Sequence, residues 1–368
     1  MLVVYSSTAS LAFKYRDGNT ESYLFKHIIM FAFGLSLMYF AHKINYKYYS
    51  RIAQLLIYIS VPLLIYTLLF GQSVNDAKRW INIPVVNMSF QTSDLAKLAL
   101  MMYMARVLSK KQDTIKSFRQ GFLPVVTPPL IICGLIAPSN LSTAMILFAT
   151  CLLLMFIGRI NLKYIFAMMG CGIILLGIII LIALQTPFHA RVLTWESRIE
   201  SFLGKNKGGE SHDDYQVKQS MIAIAEGGWV GDGPGSSGLT DAVPESSSDY
   251  IYTVICREYG FVGATVLLFL YLFFLLRCIK IFLKSPNAFG AFLAVGLSFS
   301  ITIQAMINMG VVVHLLPVTG VTLPLVSMGG TSIWFMSVAI GIILSVSKFV
   351  EQEKENKTEK ENANVETA

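Results

Sequence analysis

Long apolar runs constrain this chain more than any other feature of its sequence. Runs of about 18 or more apolar residues are typical of helices that cross the hydrocarbon core of a membrane. Charged residues make up only 14% of the chain, whereas soluble domains have about 25%. The candidate spans are 1–13, 24–42, 52–70, 92–108, 122–137, 142–158, 164–184, 259–283, 289–316 and 330–349. The sequence therefore predicts an all-α, polytopic transmembrane helical bundle.

The first candidate span, "MLVVYSSTASLAF", has about half the length of a full crossing and begins at Met1. A signal peptide would place a basic region before the apolar run, and no such region precedes this one. We therefore expect a truncated first helix, the outer half of a span whose true start lies upstream.

The charges in the connections predict how the bundle is oriented. Loops that collect Lys and Arg usually stay in the cytoplasm. Here the basic residues of alternate loops are Lys43, Lys47, Arg51, Arg106, Lys110, Lys111, Lys116, Arg119, Arg159, Lys163, Arg277, Lys280 and Lys284. The net charge of +7 therefore indicates membrane orientation and not nucleic-acid binding. The extracytoplasmic connections are then those near 71–91, 138–141, 185–248 and 317–329.

Two segments outside the spans are expected to behave differently. The connection at about 185–248 is far longer than an ordinary loop, and its aromatic residues and glycines predict a large, partly ordered extracytoplasmic cap. The tail at 350–368 is charged and low in complexity, so we expect a disordered cytoplasmic segment. The domain organisation is thus one transmembrane domain over 1–349, followed by this tail.

Ionisable residues in or against a span are costly, which makes them candidate site residues. Asp94 and Lys97 open the fourth span at a spacing that puts both on one helical face. A helix N-terminus favours Asp94 but not Lys97, so Lys97 either has a structural role or binds an anionic phosphate. Lys78 and Arg79 in the preceding loop either contact lipid headgroups or bind phosphate. Asn140 is explained by ordinary helix-start chemistry.

A second acidic site stands in "AVPESSSDYIY", where Glu245 and Asp249 precede an apolar segment. A helix that begins near Ser247 or Ser248 places Asp249 in its first turn, at the water boundary. There the carboxylate either serves as a general base or stabilises the helix N-terminus. The residues alone leave both interpretations open.

Prolines and glycines interrupt the chain near its last span, in "HLLPVTGVTLPLVSMGGTS". Broken backbone at membrane depth survives only where protein or water satisfies its polar groups. We therefore expect this segment to line a cavity that Ser327, Thr331 and Ser332 face. Gln304 and Asn308 add polar groups inside the preceding apolar helix.

Several chemistries are excluded by what the sequence lacks. It has no phosphate loop and no nucleophile elbow. Its five cysteines lie in or beside apolar segments without metal-ligand spacing. No protein metal site is predicted.

At these motifs the chain resembles the SEDS family (shape, elongation, division and sporulation). The segments "NDAKRWI", "QTSDLAKLA", "YQVKQSMIAIAEGGWVGDGPG", "PESSSDYIYTVICREYGFVG" and "LLPVTGVTLPLVSMGGTS" occur in the family's order and at its spacing. Each is weak alone, but together they are specific and cover nearly the whole chain. The residues "SSSDYIY" look more like the division-type members; the elongation type is the near alternative.

The resemblance implies a bundle of about ten helices and a peptidoglycan glycosyltransferase that polymerises lipid II for septal wall synthesis. It implies a multi-pass protein of the bacterial cytoplasmic membrane, at the division septum, with an extracytoplasmic active site. The implied partners are a class B penicillin-binding protein, which is a transpeptidase, and other division proteins. No cofactor is required by the resemblance, and a divalent cation (Mg or Mn) is an option.

The resemblance also assigns site residues. The family's essential aspartate falls on Asp249, the expected catalytic base. The expected substrate-binding residues are Lys97, Lys78, Arg79, Arg198, Glu245, Asp94, Gln216, Ser327, Thr331 and Ser332. Asp94 departs from the glutamate that is usual in the family, and Asn140 stands where an aspartate is usual. A catalytic role for a second aspartate is therefore not expected in this chain.

Two other functions fit parts of the same pattern. A transporter that flips lipid II also has many spans, broken helices and buried polar groups. The polar residues of this chain cluster on the predicted outer face and form no path through the midplane, which favours the polymerase. A structural scaffold for the division machinery is the third alternative.

Overall fold

The protein is a bundle of helices with one small sheet. A computed structural model describes residues 2–7, 20–74, 77–83, 88–184, 189–203, 212–236, 246–328 and 330–366. The helices are α1 (Leu2–Ser7), α2 (Thr20–Lys43), α3 (Tyr46–Phe70), α4 (Thr92–Lys110), α5 (Leu123–Ile136), α6 (Leu141–Ile157), α7 (Leu162–Leu184), α8 (His189–Phe202), α9 (His212–Gly227), α10 (Ile251–Lys284), α11 (Ala288–Val312) and α12 (Ser332–Glu366). The strands are β1 (Gln72–Val74), β2 (Ala77–Ile83) and β3 (Met88–Gln91).

The predicted transmembrane bundle is confirmed. Within the described residues, seven helices are long and apolar enough to cross a membrane, and α6 is a shorter apolar helix. The seven are α2, α3, α5 with the π-helical turn before it, α7, α10, α11 and α12. Of the first predicted span, α1 covers Leu2–Ser7, and residues 8–19 lie outside the described part of the chain.

Helix α4 lies at the centre of the bundle. It packs against α3, α5, α6, α11 and α12, and its buried residues follow one another around the whole helix from Leu98 to Met102. Such a helix has no lipid-facing surface to cover, which explains why it can carry the charged pair Asp94 and Lys97 at its start. α11 is the second central helix and is mostly buried.

The peripheral helices show the opposite arrangement. On α7 and α10 large apolar side chains such as Ile173, Ile174, Phe269 and Phe273 are exposed. In a bilayer such side chains face lipid tails, so they need no protein partner. The described helices therefore sort into a polar-containing centre and an apolar rim.

A three-stranded antiparallel sheet, in the order β1-β2-β3, occupies the connection between α3 and α4. The sequence predicted only a loop at 71–91, because β1 and β3 have three and four residues and the seven residues of β2, AKRWINI, do not alternate strictly between apolar and polar. In the register of the sheet, Trp80 pairs with Gln72 on one side and with Gln91 on the other. The sheet leads directly into Thr92, the first residue of α4.

Helix α10 begins earlier than the predicted span 259–283 and contains a kink. It starts at Ile251, and Gly260 interrupts it with φ 63° and ψ −166°. The residues before the kink pack inside the protein; they are helical because protein, not lipid, surrounds them. Asp249 lies in the turn Ser246–Tyr250, with Tyr250 as the N-cap residue. The prediction that Asp249 lies in the first turn of the helix is therefore wrong by two residues.

The remaining predictions concern the cap and the tail. The described parts of the predicted outer cap include two helices, α8 and α9, and the glycine-rich loop 228–236 that follows α9. The expectation of a disordered tail differs from the structure, because α12 continues through it to Glu366. Glu and Lys have high intrinsic helix propensity, and the last span provides an existing helix end from which the tail helix propagates.

Candidate active site

The carboxylate of Asp249 lies against the broken segment that precedes α12. A Cβ atom built on Gly320 would stand 3.2 Å from Asp249 Oδ2, and Gly320 has a φ of +60°. A side chain at this position would be strained and would press on the carboxylate. The glycine thus permits both the turn and the close approach of Asp249.

Asn308 fixes the backbone of Asp249. Its side-chain Nδ2 donates one hydrogen bond to the carbonyl oxygen of Asp249 and one to that of Val321, both at 2.7 Å. Asn308 is only 1% exposed, so the bridge forms away from competing water. It links the turn that carries Asp249 to the segment on which the carboxylate rests.

Gln304 lies one turn before Asn308 on α11 and also binds the segment before α12. Its Nε2 donates to the carbonyl oxygen of Thr322 at 2.9 Å, and its Oε1 accepts from Lys97 Nζ at 3.3 Å. Residues four apart lie on one helical face. The same face of α11 therefore connects the Asp249 turn with Lys97 on the central helix α4.

Lys97 and Asp94 form the ion pair that their spacing predicts. Lys97 Nζ lies 2.7 Å from Asp94 Oδ1, and the two side chains are 16% and 4% exposed. Both line a small cavity of about 40 Å³, together with Gln304 and Ser332 and with apolar side chains of α4, α11 and α12. The cavity thus has a cation and polar side chains on its wall, in an otherwise apolar part of the bundle.

The three hydroxyls expected to face a cavity have different positions. Ser332 lines the cavity beside Lys97. Ser327 Oγ donates to the carbonyl oxygen of Ser248 at 2.6 Å and accepts from the amide of Leu323 at 2.8 Å. Thr331 is fully buried, and its Oγ1 accepts from the amide of Gln91 at 3.3 Å. Ser327 and Thr331 therefore hold backbone segments together.

Lys78 and Arg79 lie on β2, where neighbouring side chains point to opposite faces of the sheet. Lys78 Nζ donates to the carbonyl oxygen of Leu69 at 2.8 Å, in the last turn of α3. Arg79 Nε donates to the carbonyl oxygen of Ser139 at 2.9 Å, between α5 and α6. Both cations thus join the sheet to the ends of spanning helices.

The other predicted residues lie on further elements. Gln216 is buried on α9, and Arg198 is half-buried on α8. Glu245 lies outside the described residues. Asn140 accepts a hydrogen bond from the amide of Thr143 at 3.1 Å and caps α6, which agrees with the helix-start interpretation. Among the described residues no group of three His, Cys, Asp or Glu could hold a metal ion.

A charged cluster next to the α10 kink was not recognised from the sequence. Arg257 pairs with Glu226 through Nη1 and with Asp232 through Nη2, the latter at 3.3 Å. Glu258 Oε1 accepts from the amide of Gly235 at 3.0 Å. The cluster clamps the glycine-rich loop after α9 onto α10. The available signal was the charged dipeptide Arg257–Glu258 in an otherwise apolar stretch.

The comparisons with known proteins cover nearly the whole chain. A family model described as "Cell cycle protein", whose name joins FtsW, RodA and SpoVE, matches residues 1–352. Stage V sporulation protein E of Bacillus subtilis is 33% identical over 360 residues, with 95% of this chain and 93% of that protein covered. A probable peptidoglycan glycosyltransferase FtsW of Trichlorobacter lovleyi is 31% identical over 353 residues, with 94% and 89% covered.

Solved structures agree with the fold. A chain of a peptidoglycan synthase complex superposes with a TM-score of 0.68 at 22% identity, and the match covers 94% of this chain and 96% of that one. The rod shape determining protein RodA of Thermus thermophilus superposes with a TM-score of 0.63 at 21% identity, with 94% and 93% covered. The family predicted from the motifs is confirmed: this chain belongs to the FtsW, RodA and SpoVE family of cell cycle proteins.

Proposed function

We propose that this protein is a peptidoglycan glycosyltransferase that polymerises lipid II into glycan strands. The observation that carries the proposal is the shared face of α11, on which Asn308 holds Asp249 and Gln304 accepts from Lys97. A carboxylate and a cation connected in this way can act on one substrate. The printed names of relatives such as the probable glycosyltransferase FtsW of Trichlorobacter lovleyi support this activity.

The active site is proposed to face the extracytoplasmic side of a bacterial cytoplasmic membrane. The basic loops support this orientation, because Lys and Arg are retained on the cytoplasmic side. In chain order, the turn with Asp249, the sheet and the segment with Gly320 all belong to the opposite set of connections. A site there meets the disaccharide headgroup of lipid II after that headgroup has crossed the membrane.

In the proposed reaction the 4-hydroxyl of the acceptor sugar attacks the anomeric carbon of the donor. Asp249 accepts the hydroxyl proton as the new glycosidic bond forms. The bond from the anomeric carbon to the pyrophosphate oxygen breaks, and undecaprenyl pyrophosphate leaves with the electron pair. This single displacement inverts the anomeric centre, and it resembles carboxylate-assisted glycoside hydrolysis with a sugar hydroxyl in place of water.

The leaving pyrophosphate needs positive charge, and Lys97 is the proposed source. Asp94 and Gln304 orient its ammonium group, so the charge is preorganised where negative charge develops. Ser332 lines the same cavity and would donate a hydrogen bond to the substrate. A divalent cation (Mg or Mn) would share this work and stays a prediction.

The other predicted substrate ligands have supporting roles in this proposal. Lys78 and Arg79 hold the sheet in place and add positive charge near the headgroup. Arg198 and Gln216 belong to the cap helices that would cover the substrate. Glu245 is proposed to position the loop before Asp249.

The proposed partner is a class B penicillin-binding protein, which would crosslink the glycan strands. The match to a chain from a peptidoglycan synthase complex, described as coordinating polymerization and crosslinking, supports this partner. Septal localisation and contacts with other division proteins are proposed from the division-type relatives. Elongation-type and sporulation-type roles are the alternatives within the same family.

The decisive experiment uses the purified protein, its transpeptidase partner and labelled lipid II in vesicles. The unchanged protein should form glycan strands, and Asp249→Ala should form none. Asp113→Ala is the matched control, because Asp113 is exposed on the loop after α4, at the opposite end of that helix from Asp94. Retained polymer in Asp249→Ala would contradict the proposal.

The same vesicles test the flippase alternative. Translocation of labelled lipid II without any polymer, unaffected by Asp249→Ala, would support a transporter and overturn the polymerase. For the scaffold alternative, cells provide the test. An Asp249→Ala protein that localises and recruits its partner, yet does not support septation, would exclude a purely structural role.

A further inference from the structure

The loop between α9 and α10 displays two unusually exposed apolar side chains. Val230 is 77% exposed and Trp229 is 74% exposed, the highest values for large apolar side chains in the described part of the chain. They are followed by Gly231 and Gly233, both with positive φ. An apolar tip of this kind needs a partner.

The exposure does not come from a loose loop. The amides of Phe261 and Val262 donate to the carbonyl oxygens of Gly228 and Trp229, at 2.9 and 3.2 Å. Two further backbone bonds run from the other side of the loop to residues just before the α10 kink, at 3.1 and 3.0 Å. The loop is therefore fixed to α10 with its apolar tip directed outward.

The position of this tip along α10 indicates what covers it. The Trp229 ring packs edge-to-face on Phe261, with centroids 5.3 Å apart. Phe261 is the first residue of α10 after the kink at Gly260. At 1.5 Å per residue, Phe261 lies about 30 Å along the helix from Lys280, which equals the thickness of the hydrocarbon core. The basic loop that contains Lys280 predicts one membrane boundary there, and this spacing then places Phe261 and Trp229 at the other.

We propose that the loop 228–236 is a bilayer anchor whose tip, Trp229 and Val230, inserts into the membrane interface at the end of the bundle opposite the basic loops. Trp is enriched at that depth because its ring is apolar and its N–H is polar. The tip continues the lipid-facing surface of α10 through Phe261 and Val262, which are also exposed. This continuity favours lipid over a protein partner.

Ion pairs around Arg257 lower the cost of placing this loop near lipid. Glu226 and Asp232 flank the tip, and carboxylates are unfavourable near lipid. Arg257 pairs with both, so the charge near the interface is partly neutralised. The anchor fixes the depth of α10, and of the turn that carries Asp249, relative to the lipid headgroups. This proposal does not depend on the proposed reaction.

Tryptophan fluorescence in vesicles tests the anchor. The protein has four tryptophans, and the difference between the unchanged protein and Trp229→Tyr isolates the emission of Trp229. In vesicles whose phospholipids carry bromine near the headgroup end of the acyl chain, this component should be quenched at least about twofold. Trp195→Tyr, on α8, is the matched control and should leave the quenched component in place.

Two results would overturn the anchor. Quenching of the Trp229 component by iodide but not by brominated lipid would mean that the tip faces water. Protection from both quenchers would mean that protein covers it.

A second variant gives an independent measurement: Val230→Asp should shift the Trp229 emission to longer wavelength, whereas Val230→Leu should not. Equal emission in both variants would also contradict the proposal.

Discussion

Two cations inside the central helix α4, Lys97 and Arg106, have different surroundings. Lys97 pairs with the carboxylate of Asp94 and lines a polar cavity. Arg106, nine residues further on, donates to the carbonyl and hydroxyl oxygens of Ser50 and, at 2.8 Å, to Gln54 Oε1. The donors of Arg106 are used by neutral groups of the neighbouring helix α3, whereas Lys97 borders a cavity of about 40 Å³. A cation inside a helical bundle is therefore a candidate for function when it borders a cavity, as Lys97 does, and not when neighbouring helices use its donors, as with Arg106.

Replacing Lys97 should have the strongest effect on turnover. Lys97→Met should lower the rate of lipid II polymerisation by about 10² to 10³-fold, the usual cost of losing one preorganised charge. Arg106→Met should mainly lower stability, because it removes the hydrogen bonds that join α4 to the part-buried oxygens of Ser50 and Gln54 on α3. Polymerisation per folded molecule and thermal unfolding, measured for both variants, separate the two effects. Equal loss of turnover in both would mean that the comparison is wrong.

Asn308 should give the next effect, because it is buried and its side chain holds the backbone of Asp249. Asn308→Leu removes both hydrogen bonds and should reduce kcat by up to about 10²-fold, because small displacements of a reacting group are costly. KM should change little. Ser298→Ala is the matched control on the same helix, because its hydroxyl donates to the carbonyl of Val295 and also contacts the thiol of Cys278. A change confined to KM would argue for a binding role.

Gly320 tests the close approach to the carboxylate. Gly320→Ala forces a side chain into the left-handed region, at a cost of about 1–2 kcal/mol, and places its Cβ 3.2 Å from Asp249 Oδ2. We expect lower thermal stability and a roughly tenfold lower kcat. Gly177→Ala is the control, because a Cβ there meets nothing within 4 Å. Unchanged kcat in Gly320→Ala would mean that the carboxylate has freedom to move.

The smallest effect is expected at Lys78. Its ammonium group binds the carbonyl oxygen of Leu69 in the last turn of α3, a favourable place for a cation worth about 0.3–1 kcal/mol. Lys78→Met should therefore shift the unfolding temperature slightly and leave kcat nearly unchanged. A loss of kcat as large as that of Lys97→Met would place Lys78 in the reaction instead.

Some features of the fold and of the site could be predicted from the sequence because they depend on local pattern. The spans follow from apolar runs, and the Asp94–Lys97 pair follows from helical spacing. The family motifs supplied Asp249. The roles of Asn308 and Gln304 could not be predicted, because their partners are backbone carbonyls and a lysine far away in the chain.

Other features depended on tertiary context. In the sheet, β1 and β3 are short and β2 does not alternate strictly between apolar and polar residues, so the sequence gives little periodic signal. The early start of α10 depends on burial by protein. The clamp around Arg257 joins residues that are up to 31 positions apart. The helical tail shows the reverse case, in which composition suggested disorder while local propensity and an existing helix end favoured helix.

In the proposed mechanism Asp249 acts in the chemical step and not in binding. The most direct test measures lipid II affinity and polymerisation rate for Asp249→Asn in the purified complex with its transpeptidase partner. We expect a loss of turnover of about 10² to 10⁴-fold, the usual contribution of a general base, with lipid II affinity nearly unchanged. Turnover within a few-fold of the unchanged protein, or a loss of affinity that matches the loss of rate, would contradict it.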